Sequence, residues 1–203
     1  MDPIQKKAGL KRVVVTTLQA SSGAGKSAVE QLNQETSLIV AGGFNNLHVK
    51  AENKSMPQQL AYNVFPQIGG FAEADFTSEE WKLVKETHKI MHDGKIKVSA
   101  TTVRVPVRTG HSESVYIETN KPLTPDAARK ILAKAPGVVL MDDPKNNSYP
   151  MPKDAEGRDQ RDDRVAEERA RDADHQQHAQ DRPDPHVVAV VRVVTVAGVG
   201  VPV

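Results

Sequence analysis

The chain has 203 residues, 38% of them hydrophobic and 4% aromatic, with 27 Lys and Arg against 26 Asp and Glu and no cysteine. That length suits one domain with a real core. A net charge of +1 gives no global field for nucleic acid or an anionic membrane, so neither partner is expected and charged ligands must be met by local sites. Without cysteine, these residues contain no disulfide, no thiolate zinc site and no thiol nucleophile. The opening MDPIQKKAGLKR has no apolar segment of the secretory kind, so a cytoplasmic setting is expected.

In chain order, RVVVTTL at Arg12–Leu18 is a β-branched run that predicts a strand. The glycine turn SSGAGKS follows, and then AVEQLNQE with helical spacing. TSEEWKLVKETHKIM at Thr77–Met91 opens as a capping box, Thr77 with Glu80 three residues on, and puts Trp81, Val84 and His88 on one stripe of a helix. Lys95–Val107 and Glu113–Thr119 alternate as two strands around the turn RTGHS. Thr124 starts a helix running to Ala133, with Pro125 at its first position, and Val138–Met141 is expected as a short buried strand. The mixture predicts an α+β fold: a mixed, partly antiparallel sheet with helices packed on one face.

Residues 1–160 read as the folded domain and residues 161–203 as a low-complexity C-terminal tail. The tail contains no Lys, Leu, Ile, Phe, Tyr, Trp, Met, Ser or Asn. Its first part, RDDRVAEERARDADHQQHAQDRPDP, is too polar to bury a core and is expected to be disordered. Its end, VVAVVRVVTVAGVGVPV, has strand propensity, but Arg192 and Pro202 make it a poor membrane span, and an exposed, adhesive segment is expected.

Several positions could carry chemistry. Ala20–Ser27, ASSGAGKS, fits a loose phosphate-loop pattern between strand and helix, and VVLMDD could pass for the acid that holds magnesium in a nucleoside triphosphatase. The first glycine is missing, however, and the strands do not alternate with crossover helices, so a turn that merely starts a helix is the preferred reading. Glu79 and Lys82, three apart on the strong helix, are either a solvated ion pair or a clamp for a zwitterionic or phosphorylated ligand. Arg104 sits in the apolar strand ATTVRVPV, where a guanidinium is costly unless it faces water or an anion. His111 follows Gly110 in a strand-to-strand turn, a place where an imidazole is either solvated or free to exchange a proton near neutral pH. His88 and His92 have no evident third ligand, so no metal site is expected.

TTLQASSGAGKSAVEQL, TSEEWKLVKETHKI, VSATTVRVPVRTGHSESVYIET and APGVVLMDDPKNNSYPMP, in this order and spacing, closely resemble the aspartate-semialdehyde dehydrogenase family from about residue 3 to Gln160. The resemblance implies an enzyme that uses NADPH to reduce β-aspartyl phosphate to aspartate semialdehyde, releasing phosphate, on the path to lysine, threonine and methionine. It also implies that this domain makes a homodimer. The family's acid/base histidine falls on His111 and its substrate-carboxylate arginine on Arg104. Its E-x-x-K pair falls on Glu79, for the substrate ammonium, and Lys82, for the phosphate. Gln19 falls beside the reacting carbonyl, and Ser22 and Gly23 fall on the loop that touches the nicotinamide cofactor. The family's cysteine nucleophile and its strand with G-x-G-x-x-G have no counterpart in these residues, so the chain alone is expected to be inactive. Beyond Gln160 the family's closing strand and helix are replaced by the tail, a change of alphabet that suggests a shifted reading frame. A non-catalytic dimerisation module and a nucleoside triphosphatase are the alternatives.

Overall fold

The computed structural model describes residues 1–52, 54–156 and 187–191. Four strands, β1 (Leu10–Gln19), β2 (Lys97–Arg104), β3 (Ser112–Thr119) and β4 (Val187–Val191), form one sheet in the order β2-β1-β3-β4. β1 runs parallel to β2 and antiparallel to β3, and β4 adds antiparallel to the outer edge of β3. The helices are α1 (Asp2–Ala8), α2 (Lys26–Ala41), α3 (Ser78–Met91) and α4 (Pro125–Leu132). The fold is therefore α+β with a mixed sheet, as the order of patterns predicts.

Alternation along the strands assigns the two sheet faces. Leu10, Val13, Val15, Ala100, Val115 and Ile117 are buried against Ile4 and Ala8 of α1, Ala128 of α4, and Leu83 and Met91 of α3. The opposite face, with Val14, Leu18 and Tyr116, carries no helix of this cluster, and Val14 is 40% exposed. Thr77 caps α3 in a complete capping box with Glu80, and Thr124 caps α4 through the Ala127 N–H. α2 runs to Ala41, further than AVEQLNQE suggests, and builds a second small core with Leu60, Ala61 and Phe65.

Two expectations change. The strand anticipated from Lys95 to Val107 ends at Arg104, because the peptides that follow turn away to bond the loop after β1. Val138–Met141 is not a strand: Val139 is 51% exposed, and neither sheet edge is open to it. The outer edge of β2 is taken by Glu80, which accepts the Thr102 N–H, and by Phe65, bonded both ways to Arg104; β4 occupies the outer edge of β3. Of the tail, only Val187–Val191 lies among the described residues, and these form β4. The reading of the remainder as disordered lies outside the described residues. α1 is an addition to the elements read from the sequence, although Pro3 in its first turn and Gly9 just past its end mark it and Ile4 and Ala8 are one turn apart.

Candidate functional site

The parallel register sets Gln19 opposite Arg104 at the carboxyl ends of β1 and β2, where open α/β sheets commonly hold their ligands. β3 starts at Ser112, opposite Leu18, so His111 arrives at the same end of the sheet. Both side chains then attach to Ala20: Arg104 Nη1 donates to its carbonyl, and its N–H donates to His111 Nδ1 at 3.2 Å. Gly23 closes the group. A β-carbon there would lie 2.9 Å from Cε1 and Nε2 of His111 and 3.5 Å from Arg104 Nη1.

Glu79 comes from the first turn of α3. Gln19 Nε2 donates to Glu79 Oε1 at 3.2 Å, and Lys82 Nζ stands 3.6 Å from Glu79 Oε2. This helix end is held by Glu80, whose carboxylate accepts the Thr77 N–H at 2.7 Å, the Thr77 hydroxyl at 2.9 Å and the Thr102 N–H at 3.1 Å. Thr102 precedes Arg104 by two residues on β2, so one buried carboxylate ties the start of α3 to the strand that carries the arginine. Gln19, Arg104, His111, Glu79 and Lys82 are thus brought together with Gly23.

Arg104 is 4% exposed, and no carboxylate among the described residues lies within ion-pair distance of it. Its Nε has no partner there either. Burial lowers its pKa, with Glu79 opposing, yet a guanidinium remains protonated at any physiological pH. It therefore presents an unpaired buried charge to a cleft of about 460 Å³ lined by Gly23, Met56, Pro57, Gln67 and Gly69. Such an arrangement is costly unless an anion completes it, and the planar fork suits a carboxylate.

His111 is half-buried, and its pKa lies below the ordinary imidazole value, first because of burial and then because of Arg104; Glu79 opposes and Lys82 adds to the lowering. The neutral ring accepts at Nδ1 from Ala20, so Nε2 carries the proton. That nitrogen faces Gly23. A neutral imidazole whose N–H has no hydrogen-bond partner among the described residues, beside this cleft, has the chemistry to give a proton to a developing oxyanion or take one back.

Ser22 is exposed, with its hydroxyl 3.5 Å from Thr109 Oγ1. The phosphate-loop alternative is not built. The N–H groups of Ser21, Ser22, Gly23 and Gly25 are bonded to Val107, Arg108, Ala20 and Ser22, leaving none of them for a phosphate. Lys26 is 90% exposed and stands 3.7 Å from Glu30. Asp142 pairs with Arg129 at 2.7 Å and Asp143 caps the turn at 144–146, so neither is placed as a metal acid. His88 bonds the Ile96 carbonyl at 2.8 Å, and among the described residues no cluster of acids and histidines is arranged to hold a metal.

Sequence reasoning passed over Glu80 as more than a cap, and it passed over Thr102 and the buried Gln31 and Glu35 of α2. Their only signal was polar residues at helical or alternating core positions.

Fold and site together define an α+β domain in which a buried arginine, without a carboxylate partner among the described residues, faces a cleft beside a half-buried histidine. The model of the semialdehyde dehydrogenase dimerisation domain matches residues 1–177, and the chain belongs to that family. It is 50% identical over 160 residues to an aspartate-semialdehyde dehydrogenase of Aquifex aeolicus, covering 79% of this chain and 46% of that one. It is 44% identical over 162 residues to the enzyme of the same name from Bacillus subtilis, with 78% and 46% covered. Among solved structures, aspartate semialdehyde dehydrogenase II of Vibrio cholerae, complexed with ASA, superposes with a TM-score of 0.70 at 37% identity, over 77% of this chain and 44% of that one. The chain spans less than half the length of these relatives. No helix among the described residues is long and apolar enough to cross a membrane.

Proposed function

We propose that residues 1–160 are the substrate-binding and dimer-forming part of a cytoplasmic, NADP-dependent aspartate-semialdehyde dehydrogenase, which reduces β-aspartyl phosphate to aspartate semialdehyde with release of phosphate, on the path to lysine, threonine and methionine. The observation that carries this reading is Arg104, a buried guanidinium without a carboxylate partner among the described residues, facing a cleft. Arg104 takes the substrate carboxylate through its fork, Glu79 the ammonium, and Lys82, the more exposed of that pair, the phosphate. Gln19 sits beside the reacting carbonyl, oriented by its bond to Glu79. His111 moves the proton through Nε2.

The residues fit one end of the cofactor. Gly23 leaves open, at the edge of the cleft, the space a β-carbon would fill, and the exposed Ser22 hydroxyl lies next to it, so these two would hold the nicotinamide. When bound, the cofactor in its reduced form, NADPH, would supply the hydride. None of the 203 residues is a cysteine, so these residues provide no thiolate for a covalent intermediate, and the chain on its own binds substrate without turning it over. A homodimer is supported by the sheet face with Val14, Leu18 and Tyr116, which no helix among the described residues covers.

Calorimetric titration with L-aspartate β-semialdehyde tests the reading. Saturable binding is expected, weakened by about a hundredfold in Arg104→Met through loss of a charged bidentate contact, with no NADPH oxidation when β-aspartyl phosphate is supplied. Failure to bind overturns the substrate reading in favour of a module that only dimerises. Turnover above the blank overturns the inactivity.

A further inference from the structure

Gln31 and Glu35 stand one turn apart on α2 and are 1% and 2% exposed. A carboxylate carried so deep is costly unless its oxygens are met. Glu35 Oε2 accepts the Leu60 and Ala61 N–H groups at 2.7 and 2.9 Å, and its Oε1 accepts from Gln31 Nε2 at 2.8 Å. The Gln31 carbonyl in turn accepts the Ser55 and Met56 N–H groups at 2.7 and 2.9 Å and the Ser55 hydroxyl at 3.3 Å, while its amide also donates to the Gln58 carbonyl at 3.3 Å. Two side chains thus satisfy four backbone donors of segment 55–61, which has no ladder of its own.

This segment is also the wall of the anion cleft. Met56 and Pro57 line the cleft together with Arg104, and a few residues on, Phe65 bonds the backbone of Arg104 in both directions, at 2.9 and 3.2 Å. We infer that Gln31 and Glu35 are a positioning pair for ligand binding: the order acceptor, amide, acceptor along their contact sets where the Met56–Pro57 wall stands relative to Arg104. The inference rests on the reading that Arg104 receives the substrate carboxylate.

The order can be broken and restored. Glu35→Gln sets an amide against the Gln31 amide, and Gln31→Glu sets two carboxylates face to face. The double exchange, Gln31→Glu with Glu35→Gln, again places one amide donor between two acceptors, reversed, and keeps all four backbone bonds; the bond to the Gln58 carbonyl is lost, and a carboxylate oxygen replaces the amide that made it.

The experiment uses the full chain and its three variants, with calorimetric titration of L-aspartate β-semialdehyde, thermal melting, and amide hydrogen exchange at Ser55, Met56, Leu60 and Ala61. Each single variant is expected to weaken binding about tenfold and to speed exchange in the segment. The double exchange is expected to return both to within about threefold of the unaltered chain, the coupling that a cycle of neighbouring sites measures. Single variants whose segment exchanges faster while affinity holds would overturn the inference, leaving a pair that only stabilises. A double exchange that recovers neither quantity overturns it as well, and does so even where a single variant fails to fold. If the unaltered chain binds no semialdehyde, the substrate reading fails and the inference falls with it, whereas affinity present in the unaltered chain and kept in the single variants overturns the inference alone.

Discussion

Arg104 and His111 are joined through the two ends of one residue: Ala20 receives the guanidinium at its carbonyl and gives its N–H to the imidazole. A fixed cation so near a titratable ring makes the ring a reporter of its neighbours. Burial is the largest cause of the lowered His111 pKa, Arg104 adds to it, and Glu79 opposes it. Arg104→Met is therefore expected to raise the His111 pKa part of the way toward 6.5, since burial remains, whereas Glu79→Gln is expected to lower it further. Proton NMR titration of the His111 ring in the two variants reads both signs. Shifts in the same direction would remove the electrostatic account of this site.

The same depression makes stability depend on pH. The folded state favours the neutral ring, so as pH falls below 6.5 the unfolded chain takes up the proton first. Stability contributed by neutral His111 is present above pH 6.5 and is lost progressively as the pH drops from there to the lower folded value. His111→Asn keeps an oxygen that can accept from Ala20 and removes the titration. Its melting temperature is expected to fall less steeply between pH 6.5 and 5 than that of the unaltered chain, as followed by circular dichroism. Parallel slopes would mean that the ring is not depressed.

Much of this arrangement was readable before any coordinates, because it follows local rules. Thr77 with Glu80, and Thr124 with Pro125, announce helix starts through backbone donors that need acceptors, and both are found where the patterns put them. The α+β class followed from alternating strands next to periodic helices. What stayed hidden depends on pairing across the chain. Val138–Met141 has the composition of a strand but no sheet edge to join, and composition cannot say that Glu80 and Phe65 have already occupied the edge of β2. Gln31 and Glu35 are polar residues in a helical pattern that does not say which face is buried, and α2 turns them inward because segment 55–61 brings bare N–H groups to meet them. The residues themselves mark Glu79, Lys82, Arg104 and His111 one by one, and the family resemblance adds Gln19, but the way they meet at one end of the sheet depends on the parallel register of β1 with β2 and the antiparallel register of β1 with β3.

Glu80 offers a stability test separate from binding. Its carboxylate is the acceptor for the N–H groups of Thr77 and Thr102 and for the Thr77 hydroxyl. Glu80→Ala leaves these buried donors without that partner and is expected to cost about 2–4 kcal/mol, against about 0.5 kcal/mol or less for an exposed acid such as Glu86→Ala. Urea unfolding of both variants checks the contrast. Equal effects would mean that the carboxylate is no more than a helix cap.

Among the described residues, no helix covers one face of the sheet. Val14 lies at the middle of β1, opposite Ser99 on β2 and Tyr116 on β3, with Leu18 opposite Val103 two steps along the same face, beyond Thr16, and the Arg12–Glu118 pair at 3.1 Å closing its other end. β-Branched, aromatic and small hydroxyl side chains in such a row make a smooth, weakly charged surface that a second copy can meet in register. Across a two-fold axis each substitution enters twice, so Val14→Lys would set unpaired ammonium groups from both copies into one contact. In a single chain Val14 is 40% exposed and a lysine there can reach water, which leaves the fold of each copy intact. Sedimentation velocity is expected to report a dimer for the unaltered chain and a monomer for Val14→Lys, with melting temperature changing only by the lost association. A variant that sediments as the unaltered chain does would place the dimer contact elsewhere, and the exposed apolar residues Leu38, Phe44 and Val64 on and after α2 would be the next surface to substitute.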